Sequence, residues 1–320
     1  MGRYVTGRVV QSVVTLLLVV TGLWVAITVL PGDPVRALFG FRPPPRELYD
    51  AITAYYRLDQ PLHVQYVTYL GNLLTGDLGR AYPADPFGVA RVGPPVTTLV
   101  AAAAPVSAVI VVGALAVQVL VGLPAGVLSA STRRRWGRTG VYAVALLLVA
   151  TPVVVWAVVS RAVLGLDLRV LPANGISAGW ESYVLPVMSL AALSAGYVAL
   201  ITRSELLATL ASPYVRAARA HGLPPWRVTG VHALRPAVIP VAVFIAANIG
   251  QLVTALVIVE GIFGMPGIGG LLFQALQARD RNLLAGIVLV IAVTVIVANA
   301  VADVAVAVLD PRVRSSVRTG

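Results

Sequence analysis

Asn248, Gln251 and Thr254 stand three residues apart in an otherwise apolar stretch. On a helix that spacing sets three neutral hydrogen-bonding side chains along one face. Such groups bond to a neighbouring helix or line part of a translocation path. They supply no acid, base or nucleophile. Gln118, Ser194 and Asn299, further polar residues deep in apolar stretches, are neutral as well. A proton relay or a fixed ion site therefore has no ionisable group to work with. His63, His221 and His232 are the only histidines, and none pairs with carboxylates at metal-ligand spacing. Cysteine is absent, which excludes disulfides, thiolate metal sites and a Cys nucleophile. Nor is there a Gly-rich phosphate loop ending in Lys and Ser or Thr, so the chain does not hydrolyse ATP itself. Gly175-Ile-Ser177 has no nucleophile-elbow context. These groups point away from an enzyme.

A second segment, Tyr214-Val-Arg-Ala-Ala-Arg-Ala-His-Gly-Leu223, suits contact rather than catalysis. Ser212 is a good N-cap and Pro213 fits the first helical position. Gly222 can stop the helix in a left-handed turn, and Pro224 and Pro225 prevent its return. The expectation is a surface helix of about three turns or fewer, with small Ala residues and two Arg. It is well made for pressing into a groove on another protein.

These residues need a membrane-spanning frame. Hydrophobic residues make up 58% of the chain and charged ones 12%. Windows 9–32, 92–132, 139–160, 182–202, 236–259 and 282–302 contain no charge. A bilayer-crossing helix needs roughly 20 mostly apolar residues, and its backbone must pair within its own segment. The expected fold is all-α and polytopic, with six transmembrane helices. The second window exceeds one span, so its end beyond Gly122-Leu-Pro124 is expected to leave the membrane. All 24 basic side chains are Arg. With the N-terminus cytoplasmic, fourteen Arg fall inside against Glu205, Asp303 and Asp310, while ten Arg and ten acids fall outside. The positive-inside rule then gives N-in, C-in topology. It also explains the net charge of +11 without nucleic acid.

The loops divide by side. Residues 1–32 read as a retained transmembrane anchor and 33–93 as an external helical cap. Asp33-Pro34 should open a short helix closed by Gly40, Pro43-Pro44-Pro45 should act as a stiff spacer, and helices are expected over Arg46–Leu58 and Leu62–Leu74. Residues 94–309 form the core, with an inside loop at 203–235, and 310–320 are a cytoplasmic tail. Arg133, Arg134, Arg135 and Arg138 around Trp136 form a basic orientation anchor. The fourth span should continue past Arg203 and Glu205 and turn at Ala211-Ser212-Pro213. Glu260-Gly-Ile-Phe-Gly-Met-Pro-Gly-Ile-Gly-Gly270 is too rich in Gly and Pro for a continuous helix and is expected to be a compact loop.

Several segments, in order, resemble the permease subunits of ATP-binding-cassette importers for dipeptides, oligopeptides and nickel. They are Leu30-Pro-Gly-Asp-Pro34, Leu58-Asp-Gln-Pro-Leu62 with Val64-Gln-Tyr66, Gly76-Asp-Leu-Gly79, Thr202-Arg-Ser204, Tyr214–Leu223, Val259–Gly269 and Leu309-Asp-Pro-Arg-Val-Arg314. The wider family pattern, Glu-Ala-Ala then Gly four residues on, maps onto Arg216, Ala217, Ala218 and Gly222. Arg216 replaces the Glu, so no role of that carboxylate carries over.

The resemblance implies a type I importer permease fold in the cytoplasmic (inner) membrane of a prokaryote. It implies a second homologous permease subunit, two ATP-binding-cassette ATPase subunits or domains, an external substrate-binding protein and membrane lipid as partners. ATP and Mg would be bound by the ATPases and no cofactor by this chain. Tyr214, Arg216, Ala217, Ala218, Arg219 and Gly222 become the helix that couples to the ATPase, with spans four and five transmitting its motion. Glu260, Phe263 and Pro266 become the outer-side contact for the binding protein. The expected cargo is a di- or oligopeptide. Alternatives are nickel or another small solute in the same family, or an ATP-independent secondary carrier. An intramembrane hydrolase would need a catalytic constellation that the spans lack.

Overall fold

A computed structural model describes residues 2–29, 35–36, 44–82, 93–132, 134–278 and 280–309. The expected helix start at Asp33-Pro34, its stop at Gly40, Pro43, Arg133 and the tail 310–320 lie outside the described residues. The described residues are almost entirely helical. Their one bridge of extended chain is antiparallel, between Arg80 and Pro95.

Eleven helices position the rest: α1 (Gly2–Val29), α2 (Arg46–Tyr55), α3 (Leu62–Leu74), α4 (Val96–Ser131), α5 (Arg135–Ala150), α6 (Val153–Asp167), α7 (Val184–Leu210), α8 (Pro213–Ala220), α9 (Pro225–Phe263), α10 (Ile268–Ala278) and α11 (Arg281–Leu309). Among the described residues four stretches, Val96–Ser131, Gly179–Leu210, Pro225–Phe263 and Arg281–Ala302, are long and apolar enough to cross a membrane. The pair α5 and α6 adds a fifth if it counts as one span, although it is bent by 103°. The charge-free window 139–160 is therefore not one straight helix. Pro152 pushes Thr151 out of the helical region, to φ −101° and ψ 124°, and the chain turns there. The longest apolar run of α1, Val10–Ala26, is shorter than these four.

The window that exceeds one span is a single helical stretch past Pro124. Helix α4 does not break there but passes through a wide π turn at Gln118–Gly122 and continues to Ser131. A helical proline clashes with the carbonyl four residues back, and here that carbonyl, on Leu120, lies in the wide turn. Pro236 repeats the arrangement, because His232 falls in the π turn at Val228–Ala233.

The chain divides into two compact units, Met1–Ser107 with Pro266–Thr294, and Ala108–Met265 with Val295–Gly320. In the first, Val96 and Val100 of α4 pack with Ala275 of α10 and with Leu283 and Ile287 of α11. The cap helices α2 and α3 run close to where the sequence put them. Tyr56 Oη donates to the Ala81 carbonyl (3.1 Å), and the Tyr56 ring meets Tyr82 edge-on at 5.2 Å. Trp24 of α1 meets Tyr66 of α3 the same way at 5.1 Å.

Asp280 gathers the polar contacts of this unit. It is 3% exposed; one carboxylate oxygen accepts from the Leu283 amide (2.9 Å), capping α11, and the other from the Tyr82 amide (2.6 Å). Asn282 Nδ2 adds a bond to the Arg80 carbonyl at 3.1 Å. Burial pushes the Asp280 carboxyl above its ordinary range, against amide hydrogen bonds that pull it down. Burial and then the Asp280 charge push the Tyr56 hydroxyl up to about 12.

In the second unit α7 is the central helix, with Leu185, Leu190, Ala191, Val198, Ala199 and Leu206 all buried. Its neighbours reach its backbone through small residues. A Cβ on Gly126 would lie 2.5 Å from Thr202 Cβ and 2.6 Å from the Ala199 carbonyl oxygen. One on Gly122 would lie 2.7 Å from the Ala195 oxygen, and one on Gly196 2.9 Å from the Ala145 oxygen. Gly122 and Gly126, four apart on α4, make a small-residue face that lets two apolar helices approach backbone to backbone.

Candidate coupling helix and neutral helix face

Helix α8 forms as its sequence directs. Ser212 is extended at φ −67° and ψ 152°, and Pro213 opens the helix. The Ser212 hydroxyl does not cap α8; it donates backward to the Thr209 carbonyl (2.6 Å), tightening the corner after α7. At the other end Gly222 has φ +77°. Its amide donates to the Arg219 carbonyl (3.0 Å), and the Leu223 amide to that of Ala218 (3.4 Å). These two bonds make a Schellman stop, which requires a left-handed residue where Gly222 stands.

What fixes α8 is Val215. This side chain has no exposed surface and packs with Leu206, Val228, Ala233 and Ala237, while Leu223, Val127 and Ala130 fill the rim. Tyr214, Arg216, Ala217 and Arg219 are exposed and Ala218 half-buried. The helix is thus held on one side by α7, α9 and the end of α4, and bare on the other. Sequence reasoning missed Val215. Its signal was available: it is the one branched apolar residue between Pro213 and Ala220.

The three residues of α9 do not act together. Asn248 Nδ2 donates to Ser194 Oγ on α7 (3.1 Å), an interhelical bond. Thr254 is exposed, and its hydroxyl donates to the Gly250 carbonyl of its own helix at 3.1 Å. Gln251 is exposed. Beside this face Tyr197 of α7 lies 5.7 Å from Phe244, centre to centre. Two of the three residues therefore share an open face, and the third ties helices together.

Beyond α9, the segment from Glu260 is not one loop. The helix runs on through Phe263 and stops at Gly264, which has φ +57°, and a helix restarts at Ile268. The Met265 amide donates to the Glu260 carbonyl (2.9 Å) in a second Schellman stop. Glu260 is fully buried and Phe263 is 1% exposed, whereas Pro266 is exposed. This corrects the expectation of a contact surface at all three residues. Glu260 and Phe263 face inward because they still belong to the packed face of α9, and Pro266 alone is available to a visitor. Among the described residues no three His, Cys, Asp or Glu side chains gather as a metal site.

Comparison with known proteins settles the family. Residues 122–315 match the binding-protein-dependent transport system inner membrane component, and residues 1–91 match the N-terminal part of such membrane components. The chain belongs to this family of inner-membrane transport components. It is similar to a protein of Brucella abortus named for a peptide transport system permease, 33% identical with 96% of this chain and 97% of the relative covered. It is also similar to the oligopeptide transport system permease proteins of Haemophilus influenzae, 31% identical, and Salmonella typhimurium, 32% identical; both alignments cover 98% of this chain and 99% of the relative. The inner-membrane permease resemblance read from the motifs therefore holds over nearly the whole length.

Proposed function

We propose that this chain is the transmembrane permease subunit of an ATP-driven importer that carries di- or oligopeptides across the cytoplasmic membrane. The names of its relatives support the cargo. The supply of energy from partner ATPases is supported by the absence of a phosphate-binding loop in this sequence. In this reading six helices span the membrane with both termini inside, α1 and the α5–α6 pair each counting as one. A second permease subunit, two ATPase subunits or domains binding ATP and Mg, and an external substrate-binding protein complete the assembly.

The observation that carries the coupling role is the seating of α8. Val215 locks the helix to α7 and α9, so force applied to the exposed Tyr214, Arg216, Ala217 and Arg219 passes into both long helices. ATP-driven closure of the ATPases would move α8, and α7 and α9 would open the path outward. A full swing between two states needs about 5.5 kcal/mol of differential binding, which a loosely hinged helix could not deliver. Gln251 and Thr254 supply neutral groups to the path, suited to peptides whose amides need partners but not counter-ions. Pro266 is the remaining candidate for contact with the binding protein.

Gly222→Val tests the coupling assignment. Nothing lies within 4 Å of a Cβ there, so the substitution acts through the left-handed backbone alone. Membrane abundance is expected to stay unchanged, while ATP-dependent peptide uptake falls at least several-fold. Uptake equal to wild type at equal abundance would sink the assignment.

A further inference from the structure

Two nearly bare tryptophans belong to one end of the second unit. Trp136 is 92% exposed and Trp226 is 73% exposed. The turn that carries Trp136 is tied to the end of α4, where Ser129 Oγ donates to the Arg138 carbonyl at 3.2 Å. Val127 and Ala130 from that same end of α4 pack on the Val215 cluster. Trp226 precedes Val228, a member of the cluster, by two residues. Both rings thus stand on elements that converge beneath α8.

The surface around them is cationic. Arg134, Arg135, Arg138, Arg216, Arg219 and Arg227 are all exposed. Within 134–138 and 203–235 the one acidic residue is Glu205. Arg203 is engaged internally, with its guanidinium 4.4 Å from the Tyr142 ring centre. Like charges crowded this way repel one another unless an anion lies against them.

The depth of the rings says which anion. Trp136 opens an apolar helix whose Val144, Leu146 and Leu147 are exposed, as hydrocarbon-facing residues must be. Leu146 is about 15 Å further along the axis, half the thickness of a bilayer core. An indole at that distance from mid-helix sits where headgroups begin, with its apolar body toward the acyl chains and its N–H toward water. Trp226 opens α9 in the same way, ahead of the exposed Ile239.

We infer that this end of the molecule binds anionic phospholipid. Trp136 and Trp226 seat at headgroup level, and Arg134, Arg135, Arg138 and Arg227 pair with lipid phosphates. The lipid ring brackets α8 and fixes its height above the bilayer. This needs no ATPase and stands apart from the coupling role proposed above.

The test uses the full chain in nanodiscs of phosphatidylcholine alone or with rising fractions of phosphatidylglycerol. Tryptophan emission of the wild type is compared with that of Trp136→Phe and Trp226→Phe to isolate the two rings. Their emission is expected to shift to the blue as phosphatidylglycerol is added, and high salt should reverse the shift because exposed charges are screened. Arg135→Gln and Arg138→Gln should each raise the fraction needed for half the shift roughly fivefold, the loss of one juxtamembrane charge. Arg135→Lys and Arg138→Lys should leave it unchanged. Identical emission in the two lipids, or Gln variants matching wild type, would overturn the inference. So would a shift that appears only after an ATPase subunit is added, since the surface would then belong to a protein partner.

Discussion

The two compact units share a way of packing and differ in what is added to it. In the second, helices meet α7 through missing side chains: Gly122, Gly126 and Gly196 let backbones approach to distances that a single methyl group would forbid. In the first, Gly93 and Gly286 play the same part against the Ala81 carbonyl and Val96, and a polar clamp is added, with Asp280 joining the Tyr82 amide to the start of α11 and Tyr56 reaching the Ala81 carbonyl. Close packing tolerates almost no added volume. A polar clamp tolerates volume but responds to protonation and to the loss of one atom.

That contrast breaks most sharply at Gly126. Gly126→Leu drives a side chain into the Ala199 carbonyl and Thr202, and should cost more than about 3 kcal/mol. Little folded protein should survive extraction into detergent, as read by size-exclusion yield and thermal melting. Val215→Ala comes next. It empties part of the cluster under α8 and should cost about 2 kcal/mol. Because the loss falls at the proposed coupling helix, the ratio of peptide transported to ATP hydrolysed in the reconstituted assembly should fall further than stability does.

The clamp in the first unit should answer to pH. A carboxyl whose pKa rises on folding holds its proton more tightly in the folded state. For Asp280, stability should be fullest below the unfolded value of about 3.8 and be lost as pH climbs through the higher folded value. Asp280→Asn keeps a capping oxygen but has no proton to exchange, and it should flatten that slope in melting curves taken across acidic pH. An unchanged slope would mean that another group carries it. The smallest effect belongs to Tyr56→Phe. Losing the bond to Ala81 should cost about 1 kcal/mol. Hydrogen exchange should quicken at Ala81 and Tyr82 while the amides of α7 stay protected.

Much of this molecule could be read before the coordinates. Charge-free windows located the long helices, and Pro213 with Gly222 bounded α8, because a first-turn proline and a left-handed stop are local chemistry, although the Ser212 hydroxyl turned back to Thr209 instead of capping. Asn248 was legible as a polar residue but not as a partner of Ser194, since a contact between α7 and α9 has no trace in either segment alone. Pro152 and Pro124 show the limit of local rules. One proline bends its helix pair by 103°, while the other passes through a wide turn without ending the helix. Glu260 and Phe263 were misread because Gly261 invited a break that the packed face of α9 overrode, and the helix ended only at Gly264.

The wide turn at Val228–Ala233 also sets an angle. It lies between Val228, which is plugged into the floor beneath α8, and the open side of the same helix at Gln251. Each residue of an α-helix advances the azimuth by about 100°. Were that turn to tighten into ordinary winding, Gln251 would swing to a different compass bearing while the end beneath α8 stayed put. Under the proposed function, that slack sets the phase between the seat of α8 and the open face that Gln251 shares with Thr254.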